Sequence, residues 1–205
     1  EKRRAFFKLI RTKELVAENP LTREEARTVL PINFLKNWKL KNISDDSTFQ
    51  FPEEPLTIGY VHDDLLSKDI ADHIAKYLKA KTEPLQNQLE TVTNYATMKR
   101  IDAYIKIFGL VFLDPDQMYS AFLYQGSNDL YGWSHPEFTR SVTLARQTVD
   151  NQERAKLYEK AENILQNETA IAMPLFYRRR AYLMSPKIIE LSDEPRGSAL
   201  VRNLT

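Results

Sequence analysis

Apolar and polar positions along the chain alternate between helix-like and strand-like periods. Residues 3–17 carry a rough apolar stripe, Phe6, Leu9, Ile10 and Leu15, among Arg and Lys, and predict one helix. A second, short helix is predicted over 22–30, with Thr22 as N-cap and Glu25 three residues on, as in a capping box. Residues 41–55 are polar with two prolines and read as a loop. Leu56 to Tyr60 alternates and predicts a strand. Ile70, Ile74, Tyr77 and Leu78 then share one face of a helix over 67–81, capped by Ser67. A strand over 89–92 and a short helix over 94–101 follow, and then a strand from Tyr104 to Phe108, ending at Gly109.

Residues 109–135 read as loop or short helix. Ser134 and Glu137 bracket Pro136 and predict the start of a helix burying Phe138, Val142 and Ala145. Asp150 caps the next helix, with Glu153 in its first turn and Leu157, Tyr158, Ala161, Ile164 and Leu165 on its buried face. Residues 170–177 are apolar around Pro174 and read as extended. The alternation of strands and helices argues for an α/β fold.

Composition narrows the chemistry. The 205 residues hold 29 Lys+Arg and 28 Asp+Glu, a net charge of +1, which is no nucleic-acid footprint. The absence of cysteine excludes disulfides, thiolate zinc sites and cysteine nucleophiles. No apolar run approaches the ~20 residues that cross a bilayer. The chain opens at Glu1 inside a helical pattern, without a signal peptide, and reads as a piece whose beginning lies elsewhere.

No Walker A, G-x-S-x-G, G-x-G-x-x-G or H-E-x-x-H motif occurs. His62 with Asp63 and Asp64 reads as a solvated turn after a strand, and His135 as a residue of a helix's first turn. Neither reads as a metal ligand, and no cofactor is expected. Asp114 and Asp116 flank Pro115, where carboxylates commonly cap a turn or a helix. Arg178 to Arg180 would point to opposite faces of an extended segment. Residues 119–133 combine Tyr119, Phe122, Tyr124, Tyr131 and Trp133 with Gln125, Ser127, Asn128 and Asp129. Aromatic walls with directed amides suit a ligand cleft, and equally the edge of an aromatic core.

The order of these pieces resembles the C-terminal half of the extracytoplasmic solute-binding proteins of the dipeptide, oligopeptide and nickel class. The resemblance runs from Arg4-Ala5-Phe6 through the helix at Ile70 to Leu78 and the strand, glycine and Asp-Pro of Tyr104 to Pro115. It continues through Gly132 to Phe138, Asn151 to Leu165 and Met173 to Tyr177. It implies the second lobe of a bilobal periplasmic-binding-protein-like fold, a mixed sheet flanked by helices. Residues 1–175 would form that lobe, and 176–205 would return toward a first lobe that is missing here. It further implies a non-enzymatic receptor, periplasmic or at the cell surface and lipid-anchored when full length. That receptor would capture a peptide or small-molecule ligand and deliver it to an ABC-transporter permease. Tyr124, Asn128, Tyr131 and Trp133 would face the cleft, with Asp114 near its floor.

Peptide-binding members place an aspartate shortly before the Asp-Pro to hold the ligand's α-amino group; here 109–113 is apolar. Either Asp114 or Asp116 takes that role, or the ligand presents no free amino terminus there. Two other readings are a chaperone-like or surface protein-interaction module on the same fold, and a hydrolase, for which only Asp114, Asp116 and His135 are at hand.

Overall fold

The computed structural model describes residues 2–10, 12–18, 22–30, 53–86, 100–109, 114–123, 133–178, 191–193 and 199–201. Its centre is a parallel three-stranded sheet of order β3-β2-β4: Thr57–Val61 (β2) pairs on one side with Lys81–Leu85 (β3) and on the other with Ala103–Tyr104 (β4). The chain leaves β2 through the helix Leu65–Leu78 (α3), returns as β3, and then enters β4 on the far side of β2.

Local chemistry sets these elements. The apolar face of α3, with Ile70, Ile74 and Leu78 nearly solvent-free, packs on Ile58 and Tyr60 of β2. Its N-cap is Asp64, which accepts from the Leu66 N–H at 3.1 Å, not the expected Ser67. Ser67 is inside the first turn, buried, donating its hydroxyl to Asp64 at 3.0 Å. Gly59 lets β2 sit close under its neighbours: a Cβ there would lie 2.7 Å from Leu85 Cδ1 and 3.0 Å from Ile101 Cδ1. The strand β3 is not among the predicted elements. Its lysine, threonine, glutamate and proline give no apolar run, and pairing to β2 decides its form. The predicted strand over 89–92 lies outside the described residues, as do the predicted loop before 53 and most of the helix predicted over 94–101.

A second apolar cluster is helical. Pro115–Ser120 (α4), Pro136–Gln147 (α5) and Asn151–Asn163 (α6) bring together Tyr119, Phe122, Phe138, Val142, Ala145, Tyr158 and Ala161. The expected buried stripes of α5 and α6 are observed, with Phe138, Val142, Ala145, Ala161 and Leu165 at 0% exposure. Asp150 caps α6 as predicted, accepting from the Gln152 and Glu153 N–H groups at 3.0 and 2.9 Å. At α5 the cap is His135, whose Nδ1 accepts from the Phe138 N–H at 3.3 Å, in place of the expected Ser134. A π-helical turn, Ile164–Glu168, extends α6.

Two predictions fail locally. The single helix over 3–17 is two, Lys2–Leu9 (α1) and Thr12–Glu18 (α2), with Ile10 non-helical between them. The helix predicted over 22–30 begins instead as a strand, Thr22–Glu25 (β1), antiparallel to Phe176–Arg178 (β5). A four-residue helical signal gives way there to interstrand hydrogen bonds, which the Ala26 N–H extends to the Leu175 carbonyl at 3.1 Å. Strand pairing after β4 is also shorter than predicted, ending with the Ile105 N–H on the Gly59 carbonyl at 2.8 Å. Leu191–Asp193 (β6) and Ala199–Val201 (β7) pair antiparallel near the end of the chain.

Candidate ligand-binding site

In an open parallel sheet, ligands settle where successive connections leave in opposite directions, at the carboxyl ends of the strands. Here that place lies between β2 and β4. β2 ends at Val61 and turns through His62 and Asp63. Beyond β4 the side chains keep an alternating habit. Ile105 and Ile107 pack with the sheet-side cluster, whereas Tyr104 packs with the helical cluster and Phe108 lies on Phe122, ring centroids 6.0 Å apart. Phe108 is 36% exposed, a large apolar ring left open at this edge. Lys106 Nζ sits 4.8 Å from the centre of that ring. Burial lowers the Lys106 pKa to about 8.

Phe122 lies two residues past the end of α4, inside the aromatic segment 119–133 singled out from the sequence. Within that segment, Tyr124, Asn128 and Tyr131 lie outside the described residues. Trp133, at its far end, is half-buried. It meets Phe138 edge-on at 5.2 Å and stacks on His135 at 6.2 Å. Phe122 and Trp133 therefore rest on the same helical cluster and bracket the segment between them.

Asp114 ties α4 to α6. One carboxylate oxygen accepts from the Asp116 N–H at 2.8 Å, capping α4, and Arg154 Nη2 donates to both oxygens at 2.7 and 2.9 Å. Burial pushes its carboxyl pKa up, but the Arg154 pair and the cap outweigh this and hold it below the usual range. Asp116 is likewise engaged, by Arg146 Nε at 2.6 Å and the Ser120 hydroxyl at 2.9 Å. Both carboxylates are thus already paired with arginines. Among the described residues no group of three or more His, Asp or Glu could hold a metal ion.

The other unusual group is Glu162, fully buried on α6. It accepts from the Tyr119 hydroxyl at 2.6 Å, the Val29 N–H at 2.8 Å and the Gln166 amide. Desolvation raises its pKa to about 7 against those three donors. Gln166 also donates to the Arg27 carbonyl at 3.0 Å, and the Tyr177 hydroxyl donates to the Leu30 carbonyl at 2.8 Å. The network ties the 27–30 segment and β5 to the helical cluster.

No protein-family model matches the sequence, and no curated protein sequence does. Solved structures do match. The periplasmic murein tripeptide-binding protein MppA, in its unliganded open form, superposes with a TM-score of 0.66 at 17% identity, over 96% of this chain and 41% of its own. NikA from Brucella suis, in complex with Fe(III)-EDTA, gives 0.66 at 13% identity, over 98% and 47%. The ABC-transporter substrate-binding protein CtaP of Listeria monocytogenes gives 0.65 at 18%, over 86% and 40%.

The chain has the fold of part of a solute-binding protein.

It spans under half the length of these three structures. The solute-binding fold agrees with the α/β architecture expected from the sequence. The open edge past β4 adds Lys106 and Phe108 to the residues of interest. Sequence reading placed both in a strand, and the one signal was a lysine inside an otherwise apolar run, Tyr104 to Phe108. Among the described residues, no helix is long and apolar enough to cross a membrane.

Proposed function

We propose that this chain is the second, ligand-binding lobe of an extracytoplasmic receptor for an ABC importer. On this reading it captures a peptide or related small solute and presents it to a membrane permease, with no chemistry on the ligand. Residues 1–175 supply the ligand wall and 176–205 return toward a first lobe. The full-length protein works in the periplasm or at the cell surface, lipid-anchored in the latter case. The observation that supports the reading is the exposed Phe108 ring past the end of β4, resting on Phe122, with Trp133 packed on the same cluster as Phe122. Tyr124, Asn128 and Tyr131 complete the wall in this proposal. Asp114 serves it from beneath, through its hold on α4 and Arg154, and does not touch the ligand.

A ligand that binds only the folded state raises its melting temperature in proportion to RT ln(1 + [L]/Kd). A thermal-shift panel of short peptides, free amino acids and metal chelates against the full-length protein tests the proposal. At least one class should raise the melting temperature in a saturable manner. A flat response across the panel would remove the receptor reading and favour the protein-interaction module.

A further inference from the structure

The segment from Arg27 to Leu30 has no regular secondary structure, yet Thr28 and Leu30 are buried. Side chains from other elements hold its backbone. The Val29 N–H donates to Glu162 at 2.8 Å, and the Arg27 carbonyl accepts from the Gln166 amide at 3.0 Å. The Leu30 carbonyl accepts from the Tyr177 hydroxyl at 2.8 Å and from the Thr28 hydroxyl at 2.9 Å. A buried, irregular backbone keeps its place only while such partners hold. Glu162 is the partner that can change charge. It is 0% exposed, and its three donors, Val29, Tyr119 and Gln166, are all neutral.

The ionisable groups around it supply no counter-charge among the described residues. Tyr119 of α4 donates to it and stacks on Tyr158 of α6 at 5.0 Å, and Tyr177 of β5 feels its charge. Glu159 of α6 adds a further negative charge beside Tyr119. Arg27 gives the network its carbonyl, while its side chain is exposed. Glu25 of β1 accepts from the Thr12 hydroxyl, and Glu168 of the π-helical turn from the Asn163 amide at 2.7 Å. The nearby cations are taken, Arg154 by Asp114 and Lys160 by Glu137 of α5.

We infer that Glu162 is a pH-sensitive latch on the 27–30 segment: protonated, it holds the segment shut on the helical cluster, and ionised, it favours an opened segment in which water reaches the carboxylate. Closed, the acid keeps every bond. Oε1 accepts from Val29 and Gln166, and Oε2 donates its proton to the Tyr119 oxygen instead of accepting from it. Ionisation leaves a charge out of water with no cation to meet it, and opening relieves that cost. The closed-state pKa is raised to about 7 by desolvation, from 4.5. Closure is therefore fully stable below the opened-state value and weakens as pH rises through the closed one. Tyr177 lies in β5, where the segment proposed to return toward a first lobe begins. The latch itself does not depend on the ligand-binding reading.

Amide exchange of the full-length protein at pH 5 and pH 8 tests the latch, each rate divided by the intrinsic chemical rate so that it reports the opening equilibrium. In wild type the protection of 27–30 should fall roughly 10- to 100-fold from pH 5 to pH 8, as the two pKa values require. Glu162→Gln should hold one level of protection at both. If that variant does not fold, Tyr119→Phe replaces it: with one donor to the carboxylate lost, the fall should deepen. Sub-denaturing urea separates local from global opening, since only the latter exposes much surface. At pH 8 the exchange of 27–30 should be insensitive to it. Equal wild-type protection at the two pH values, a fall that Glu162→Gln retains or Tyr119→Phe leaves unmoved, or acceleration of 27–30 by urea would each overturn the latch.

Discussion

Arg154 reaches back from α6 to hold both carboxylate oxygens of Asp114, at 2.7 and 2.9 Å, while its guanidinium lies 5.3 Å from the centre of the Tyr158 ring. The pair joins the cap of α4 to the first turn of α6. Its carboxyl pKa is depressed, so the stabilisation is present above the unfolded value, about 3.9, and is lost as pH falls through the folded one. The pair is partly open to solvent, which limits its worth. Asp114→Asn keeps the cap acceptor and should cost about 1 kcal/mol at pH 7. Urea unfolding at pH 7 and pH 3 checks this: the difference from wild type should shrink at the lower pH.

Glu162 behaves in the opposite sense. Its folded pKa is raised to about 7 from 4.5, chiefly by desolvation. The resulting stability is complete below the unfolded value and is lost as pH rises through the folded one. From about pH 4.5 to pH 8 wild type should lose roughly 3 kcal/mol at this site. Glutamine there can accept from Val29 and Gln166 with its oxygen and donate to the Tyr119 oxygen. Glu162→Gln should therefore flatten this part of the pH dependence and stabilise the protein at pH 8. Unfolding midpoints measured across that range decide it, and a slope equal to wild type's would refute the assignment.

Gly59→Ala should cost about 1–3 kcal/mol, since the added methyl group presses on Leu85 and Ile101 on both sides of the central strand. Chemical denaturation reads the loss directly. Normal stability would mean that β2 is less tightly enclosed than its neighbours imply.

Lys79 closes α3 in the left-handed region, φ 50° and ψ 36°, with its N–H on the Ala75 carbonyl. Glycine adopts that conformation without a Cβ penalty. Lys79→Gly should raise stability by about 0.5–1 kcal/mol, as measured by thermal and urea unfolding.

The helices with strong caps and unbroken stripes were legible from residues alone. Asp150, Phe138, Val142 and Ala145 stand where periodicity put them, because both cap chemistry and burial are local. The caps at Asp64 and His135 were each misassigned to a neighbouring serine, since several residues near a helix start can accept the same N–H groups and geometry chooses among them. β1 and β3 were missed because a partner strand far along the chain makes them strands. Of the expected site residues, Asp114 is paired with Arg154, a partner 40 residues away that no spacing announces. Lys106 and Phe108 were hidden for a related reason. Alternation within a strand says which residues share a face, but not that this face opens at the end of the sheet.

The most direct test of the account is a calorimetric titration of the full-length protein with whichever solute of the panel shifts its melting temperature, repeated on Trp133→Ala and Phe108→Ala. A one-to-one isotherm that each substitution weakens by roughly tenfold or more, as loss of a buried aromatic contact implies, is the predicted result. Binding to wild type and both variants with the same affinity would show that the ligand lies elsewhere and contradict the site.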